Sequence, residues 1–267
     1  MSVTLILLSL AIGSLGGLLA GLLGVGGGII IVPAVRFLAP VLGLAPDYAM
    51  HAAVATSVAL IVPTSLSSAR SHHRRGAVDF AILKVWGPAL GLGSLTAGAV
   101  AGFLPTHVLG VIFGVVAMGV GMLLARGRPV PVIAPTLPGR PAQGSIAFVI
   151  GALSSWMGIG GGSLSVPTLS AFAVPVHRAV GTSAALGLCI SVPGLVGWII
   201  SGWNVDSGTA PHFGFIQLVP FGLMLVPMIA LAPLGARLAH ALPAARLRQI
   251  FGIFLIVTAL TLLAKSF

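Results

Sequence analysis

Residues 24–33 read GVGGGIIIVP and residues 158–167 read GIGGGSLSVP, so one glycine-rich motif occurs twice, 134 positions apart. A second pair follows in the same order: HAAVATS at 51–57 and HRAVGTS at 177–183, 126 positions apart. Pro105 and Pro243, 138 positions apart, each precede a late apolar run. Order and rough spacing are both kept, as expected of a duplicated half. Between the copies lies RGRPVPVIAPTLPGRP, residues 126–141, with three Arg and five Pro. Prolines at that density break helices and leave an extended connection. The chain therefore divides into a first half at 1–125, a linker at 126–141 and a second half at 142–267.

Composition fixes the solvent. Of 267 residues, 57% are hydrophobic and 6% charged, with three Asp, no Glu and a formal net charge of +10; the mean hydropathy is +1.15. A soluble domain carries about a quarter charged residues. Sixteen charged side chains are too few to coat a water-facing surface. That excludes a soluble enzyme, a disordered chain and a secreted disulfide scaffold. The basic excess does not point to nucleic acid, because no basic run alternates with aromatics; basic loops orient a membrane protein. The single Cys189 excludes an internal disulfide, and its apolar surroundings suit plain packing. The first basic residue is Arg36. A cleavable signal peptide would open on a positive region, so residues 3–23 read as a first transmembrane segment.

The same five apolar segments fall in each half: 3–23, 27–43, 48–69, 79–103 and 107–125, then 143–158, 162–174, 178–200, 214–239 and 245–264. The expected fold is all-α and polytopic, an inverted repeat of two five-segment halves with about eight to ten membrane segments. An odd count per half turns the second half upside down. That arrangement puts Arg70, Arg74, Arg75, Arg126, Arg128, Arg140, Arg178, Arg237, Arg246 and Arg248 on one face, with Lys84 near it. The other face keeps Lys265, Asp47 and Asp206. The positive-inside rule then puts both termini outside and the linker in the cytoplasm. Residues 162–174 would span only ~20 Å against a core of about 30 Å, and 143–158 are barely longer, so these segments are either tilted between long neighbours or paired as re-entrant hairpins turning at their glycine-rich loops. Short, Gly/Pro-interrupted segments at matching places in inverted halves point to a transporter's binding site.

Four sets of residues carry possible chemistry. Gly26, Gly27 and Gly28, with Gly160, Gly161 and Gly162, can turn several N–H groups into one concavity, because no Cβ blocks approach. A helix starting there aims its positive end at the same point, which would hold a small anion without a buried Lys; close helix packing is the plainer use of such glycines. Thr56 and Ser57, matched by Thr182 and Ser183, would either donate to the anion or bond a carbonyl one turn back. His51 and His177, at matching helix starts, either anchor the interface or couple protons to transport. Arg36 is the one charge well inside a segment; it either neutralises an anion or snorkels, and its counterpart is Ser170. No histidine spacing suits zinc, and with no Glu a carboxylate metal cage is excluded, so neither metal nor cofactor is expected.

On these residues the chain resembles the sulfite exporter TauE/SafE family of bacterial membrane permeases. The resemblance rests on the paired GxGGGxxxxP motifs, the Thr-Ser pairs after them, and two apolar halves joined by a short polar linker. It implies transport of a small sulfur-containing anion, sulfite or an organosulfonate, across the inner membrane. One departure is Ser163 and Ser165 where the first copy has Ile29 and Ile31, which makes the second half of the site more polar. The expected protein is a multi-pass secondary transporter, an exporter by its family, working by alternating access with the bilayer and a small anion as partners. It has no nucleic-acid partner, and no nucleotide-binding motif supplies an ATPase module. Two alternatives are an anion channel and an intramembrane hydrolase pairing Ser163 with a histidine; the duplication of a whole half suits a carrier better than an enzyme.

Overall fold

A computed structural model of the chain describes residues 3–23, 27–127, 130–207, 211–241 and 244–264. Ten α-helices occupy them: α1 (Val3–Leu23), α2 (Gly28–Leu38), α3 (Ala49–Arg74), α4 (Phe80–Val100), α5 (Thr106–Ala125), α6 (Arg140–Met157), α7 (Gly162–Ala171), α8 (Val176–Gly202), α9 (Leu218–Ala241) and α10 (Ala244–Ala264). Beside them lie short 3-10 turns at Pro46–Tyr48 and Ala101–Phe103, and one hairpin of β1 (His212–Phe213) and β2 (Ile216–Gln217). Among the described residues six helical stretches are long and apolar enough to cross a membrane: Val3–Gly21, Pro46–Arg74, Phe80–Phe103, Thr106–Ala125, Val176–Gly202 and Leu218–Gly235. The chain is an all-α polytopic membrane protein.

The two glycine-led helices are shorter than their apolar runs suggest. α2 has 11 residues and α7 has 10. At 1.5 Å per residue each reaches only ~15 Å, about half the hydrocarbon core. A turn of the same kind follows each, reaching its left-handed residue two positions past α7 and five past α2. Leu44 N–H returns to Ala39 O and Gly43 N–H to Pro40 O; Val174 N–H returns to Leu169 O and Ala173 N–H to Ser170 O. Gly43 (φ 64) and Ala173 (φ 58) take the left-handed position this C-cap requires. Other boundaries also move. α6 starts at Arg140, inside the stretch read as linker, because Pro141 sits in the first turn where its missing N–H costs nothing. The segment read from 214 starts instead as a hairpin about Gly214 (φ 58), and α9 begins at Leu218.

Packing follows a crossed pattern. α1 lies along α9 and α4 along α6, so the first helix of each sequence half lies on the fourth of the other. α5 packs on α10 and α3 on α8, while the short α2 and α7 pack on the long helices that follow them. Small residues allow the close crossings. A Cβ on Gly13 would lie 2.7 Å from the Met224 carbonyl oxygen, and Gly93 and Gly151 let α4 and α6 touch backbone to backbone. α3 is buried along most of its length, whereas α1, α5 and α9 turn most of theirs outward. Exposed Val3, Phe37, Phe103 and Val226 face outward as lipid-facing residues would. Inside, each tryptophan ring N–H of Trp86, Trp156 and Trp198 finds an oxygen, on Gln143, Ala97 and Ser155 respectively.

The linker is strapped to the end of α7 by Ile133 N–H on Ala171 O at 2.7 Å and by Ala134 N–H on the same oxygen. An apolar cavity of about 340 Å³ lies beneath it, lined by Leu124, Val132, Val166, Pro167 and Val176 among others.

Candidate functional site

The second glycine motif starts where α6 stops. Gly158 is left-handed (φ 60), its N–H returns to Ser155 O, and Ile159 N–H returns to Ser154 O. This C-cap turn leaves the Gly158 carbonyl free of helical partners. Ser57 of α3 fills the vacancy, donating its hydroxyl at 2.7 Å. Gly28, the first residue of α2, lies so close that a Cβ there would fall on the same carbonyl oxygen. A Cβ on Gly158 would in turn meet Val32 Cγ2 at 2.9 Å and the Val54 backbone at 3.1 Å. The two glycine motifs, far apart in sequence, meet at one buried point between α2, α3 and the α6–α7 turn.

The glycines do not all act alike. Gly27 is left-handed (φ 76) and starts α2, its carbonyl accepting from Ile30 N–H at 3.1 Å. Gly161, its counterpart, is right-handed. None of Gly160, Gly161 and Gly162 has a positive φ; the left-handed residue of the second copy is Gly158, two positions earlier, because the helix-ending turn needs it there. Gly161 is small for space, since a Cβ would lie 2.8 Å from Ile190 Cδ1 and 3.4 Å from Gly187 N. Gly26 lies outside the described residues, as do Gly24, Arg128 and Lys265.

Thr56 and Thr182 occupy matching places with matching partners. Thr56 Oγ1 accepts the Gln217 N–H at 2.9 Å, and Thr182 Oγ1 accepts the Asp79 N–H at 2.9 Å. Gln217 and Asp79 are the residues just before α9 and α4, so each threonine ties a long helix of one half to the start of the fourth helix of the other. Asp79 caps α4 through Oδ1 on Ala81 N–H at 2.9 Å, with Arg178 3.8 Å from its other oxygen. Ser163 donates to Gly160 O at 3.2 Å, within its own turn. Ser183, the counterpart of Ser57, is buried with no hydrogen-bond partner among the described residues.

The matched histidines part company. His51 is 1% exposed. Its Nε2 lies 2.9 Å from Leu104 O and 3.1 Å from Ala101 O, and because carbonyls only accept, Nε2 carries the proton. Tyr48, Trp198 and Phe215 surround the ring. His177 is exposed in the first turn of α8. Arg36 is half-buried in the last turn of α2, about 12 Å along the axis from Gly28, where a cation complements the helix dipole. Among the described residues neither histidine nor Arg36 has a hydrogen bond or ring contact to the glycines where they meet.

Sequence reasoning missed Asp79 and Gln217, whose partners lie 103 and 161 positions away. It also missed the buried pair Ser154 and Ser155, and Ser191 of α8. The one sequence signal for the pair was its position ahead of the second motif, separated from it by two residues.

Residues 9–262 match the family described as Sulfite exporter TauE/SafE. A probable membrane transporter protein of Haemophilus influenzae is 33% identical over 264 residues, covering 98% of this chain and 99% of that protein. The probable membrane transporter protein YunE of Bacillus subtilis is 32% identical, covering 72% of this chain and 77% of YunE. A probable membrane transporter protein of Methanocaldococcus jannaschii is 24% identical, covering 96% of this chain and 94% of that protein. No solved structure matches the chain. The chain belongs to the sulfite exporter TauE/SafE family and is a membrane transporter.

Proposed function

We propose that the chain is a secondary exporter that moves a small sulfur-containing anion, sulfite or an organosulfonate, across the bacterial inner membrane by alternating access. The observation that carries this reading is the contact of Gly28 with the Gly158 carbonyl, which brings the start of α2 against the buried turn between α6 and α7. α2 starts at that contact and α7 starts four residues beyond Gly158, and helix starts without side chains are suited to hold an anion. Residues 1–125 and 142–267 act as inverted halves joined by a cytoplasmic linker, and rocking of one against the other exposes the anion alternately. The anion is held by the glycines at 26–28 and 160–162, with Ser57, Ser163 and Ser183 as hydroxyl neighbours. Thr56 and Thr182 hold the helix starts that frame the site, and Arg36 sits at the far end of α2. Proton coupling, if the carrier uses it, runs through His51 or His177.

Sulfite and methanesulfonate flux in proteoliposomes containing the full chain, with and without a proton gradient, tests the reading. Saturable flux of either anion is expected. Absence of flux with every sulfur oxyanion and sulfonate tried overturns it.

A further inference from the structure

Five serines break the usual habit of hydroxyls in apolar helices. Serine and threonine there ordinarily return the hydroxyl to a carbonyl one turn back, as Thr64, Thr168 and Thr261 do. Ser154, Ser155, Ser165, Ser183 and Ser191 are at most 1% exposed, and none has a hydrogen-bond partner among the described residues. Buried unmet hydroxyls are costly and therefore rare.

They gather around the α6–α7 turn. Ser154 and Ser155 lie in the last turn of α6, and their carbonyls close the turn at Gly158 and Ile159. Ser165 follows in the first turn of α7, its N–H on Gly161 O at 2.8 Å. On α8, Ser183, Gly187 and Ser191 stand four apart and so form one stripe. Gly187 is where that stripe meets the turn, its nitrogen 3.4 Å from the Cβ position of Gly161. A little further along, the Cβ position of Gly194 is 3.3 Å from Ser155 Oγ. The corresponding residues of the first half are Ala20, Gly21, Ile31, Ser57 and Ser65. Three of these have no hydroxyl, and Ser57 is spent on Gly158. Among the described residues only one other buried serine is unmet, Ser9 of α1, so five of the six unmet hydroxyls belong to the second half.

No charge accompanies them. The ionisable groups on the surrounding helices are Arg36 on α2, His51, Arg70, His72, His73 and Arg74 on α3, Lys84 on α4 with Asp79 at its cap, Arg140 on α6, and His177, Arg178 and Cys189 on α8; Asp79, which bonds Thr182 beside Ser183, turns its carboxylate to the cap of α4 and to Arg178. Only His51 is buried, and its Nε2 proton is engaged by Leu104 and Ala101; Cys189 Sγ faces Gly87. An anion at the turn would be met by hydroxyls and the N–H groups of α7, all neutral. Desolvation cost rises with the square of the charge, so a dianion costs about four times as much as a monoanion of the same size.

We propose that these five serines form the anion-contacting wall of the transport site, and that this wall selects singly charged oxyanions, hydrogensulfite or an alkyl sulfonate, over dianions such as sulfate. The proposal rests on the anion-carrier reading above and adds to it the residues and the charge of the substrate.

The test measures binding to the purified full chain in detergent, by calorimetry and ligand-induced thermal stabilisation. Methanesulfonate is the permanent monoanion, sulfate the permanent dianion, and sulfite the anion that changes from one to the other near neutrality. Binding of methanesulfonate is expected, with none of sulfate, and sulfite affinity is expected to fall about tenfold per pH unit above its second ionisation. In S165A/S191A, methanesulfonate binding weakens about tenfold per lost hydroxyl, while the ligand-free Tm stays unchanged because neither serine has a bond to lose. Ser155→Ala is a second, independent variant with the same expectation. Equal binding of sulfate and methanesulfonate overturns the charge selection and leaves the anion carrier standing. Unaltered binding in all serine variants overturns the wall, as when those hydroxyls hold only water. Failure of every anion to bind the unaltered chain overturns the carrier reading itself.

Discussion

Ser57 donates its hydroxyl to the carbonyl oxygen of Gly158 at 2.7 Å, joining α3 to the turn after α6 across 101 positions of sequence. That carbonyl ends a helix in left-handed backbone and has no helical partner, so the side chain satisfies an acceptor that lipid and packing cannot. Ser183 sits at the matching place and makes no such bond among the described residues. Ser57→Ala should therefore lower stability by about 1–2 kcal/mol, whereas Ser183→Ala should leave it unchanged or slightly raised. Thermal unfolding of the two variants in detergent compares them directly. Equal losses in both would mean that the bond contributes nothing specific.

Two glycines of the motifs should respond differently to a single added methyl. A Cβ on Gly28 would run into the backbone oxygen of Gly158, which cannot step aside without opening the α6–α7 turn. A Cβ on Gly161 would meet Ile190 Cδ1, the far end of a flexible side chain. Gly28→Ala should cost about 1–3 kcal/mol through overpacking and should stop transport. Gly161→Ala should keep its Tm, so a loss of flux in it reports on the glycines that hold the anion and not on folding. Proteoliposome flux and detergent Tm together check the contrast, and a harmless Gly28→Ala would refute the close contact.

Segment positions were legible because lipid leaves a continuous apolar record: the run at 3–23 is α1, residue for residue, and 79–103 is α4 with its closing 3-10 turn. The exact ends of α2 and α7 were not, since the helices stop at Leu38 and Ala171 and the runs read as 27–43 and 162–174 go on into turns at Gly43 and Ala173. Duplication of the glycine and Thr-Ser motifs was visible, but their partners were not. Thr56 and Thr182 read as donors, to an anion or to a carbonyl one turn back, and both accept as well, from backbone N–H groups whose location depends on the crossed packing of helices. Ser154, Ser155 and Ser191 gave no sign of being unpaired. In sequence, an unbonded serine and one bonded to its own helix look identical, and only the packed structure separates them.

The matched threonines make a prediction about symmetry. Gln217 N–H and Asp79 N–H precede helices and lack intrahelical partners, so each threonine supplies the acceptor its helix start needs. Thr56→Val and Thr182→Val keep shape and remove the oxygen. Each should cost roughly 1 kcal/mol, within the range measured for hydrogen bonds between membrane helices. Thr→Ser at either place should restore most of the loss. A valine variant as stable as the parent protein, measured by Tm, would show that the hydroxyl is not the acceptor that matters there.

Ala173 offers a stabilising change that the first half already contains. Both short helices are followed by the same kind of turn, in which one residue must be left-handed: Gly43 at φ 64 and Ala173 at φ 58. For glycine that backbone carries no penalty, whereas an L-residue with a Cβ crowds the following carbonyl at a cost of roughly 1–2 kcal/mol. Glycine also has more freedom to lose from the unfolded chain, which offsets part of the gain. Ala173→Gly should therefore raise stability by about 1 kcal/mol or slightly less, and Gly43→Ala should lower it by a similar amount. Because Val174 N–H on Leu169 O and Ala173 N–H on Ser170 O both depend on this conformation, hydrogen exchange at these two amides should slow in Ala173→Gly. A drop in Tm for Ala173→Gly, with faster exchange at residues 173 and 174, would show that the turn is held by packing of the alanine methyl and not limited by its backbone strain.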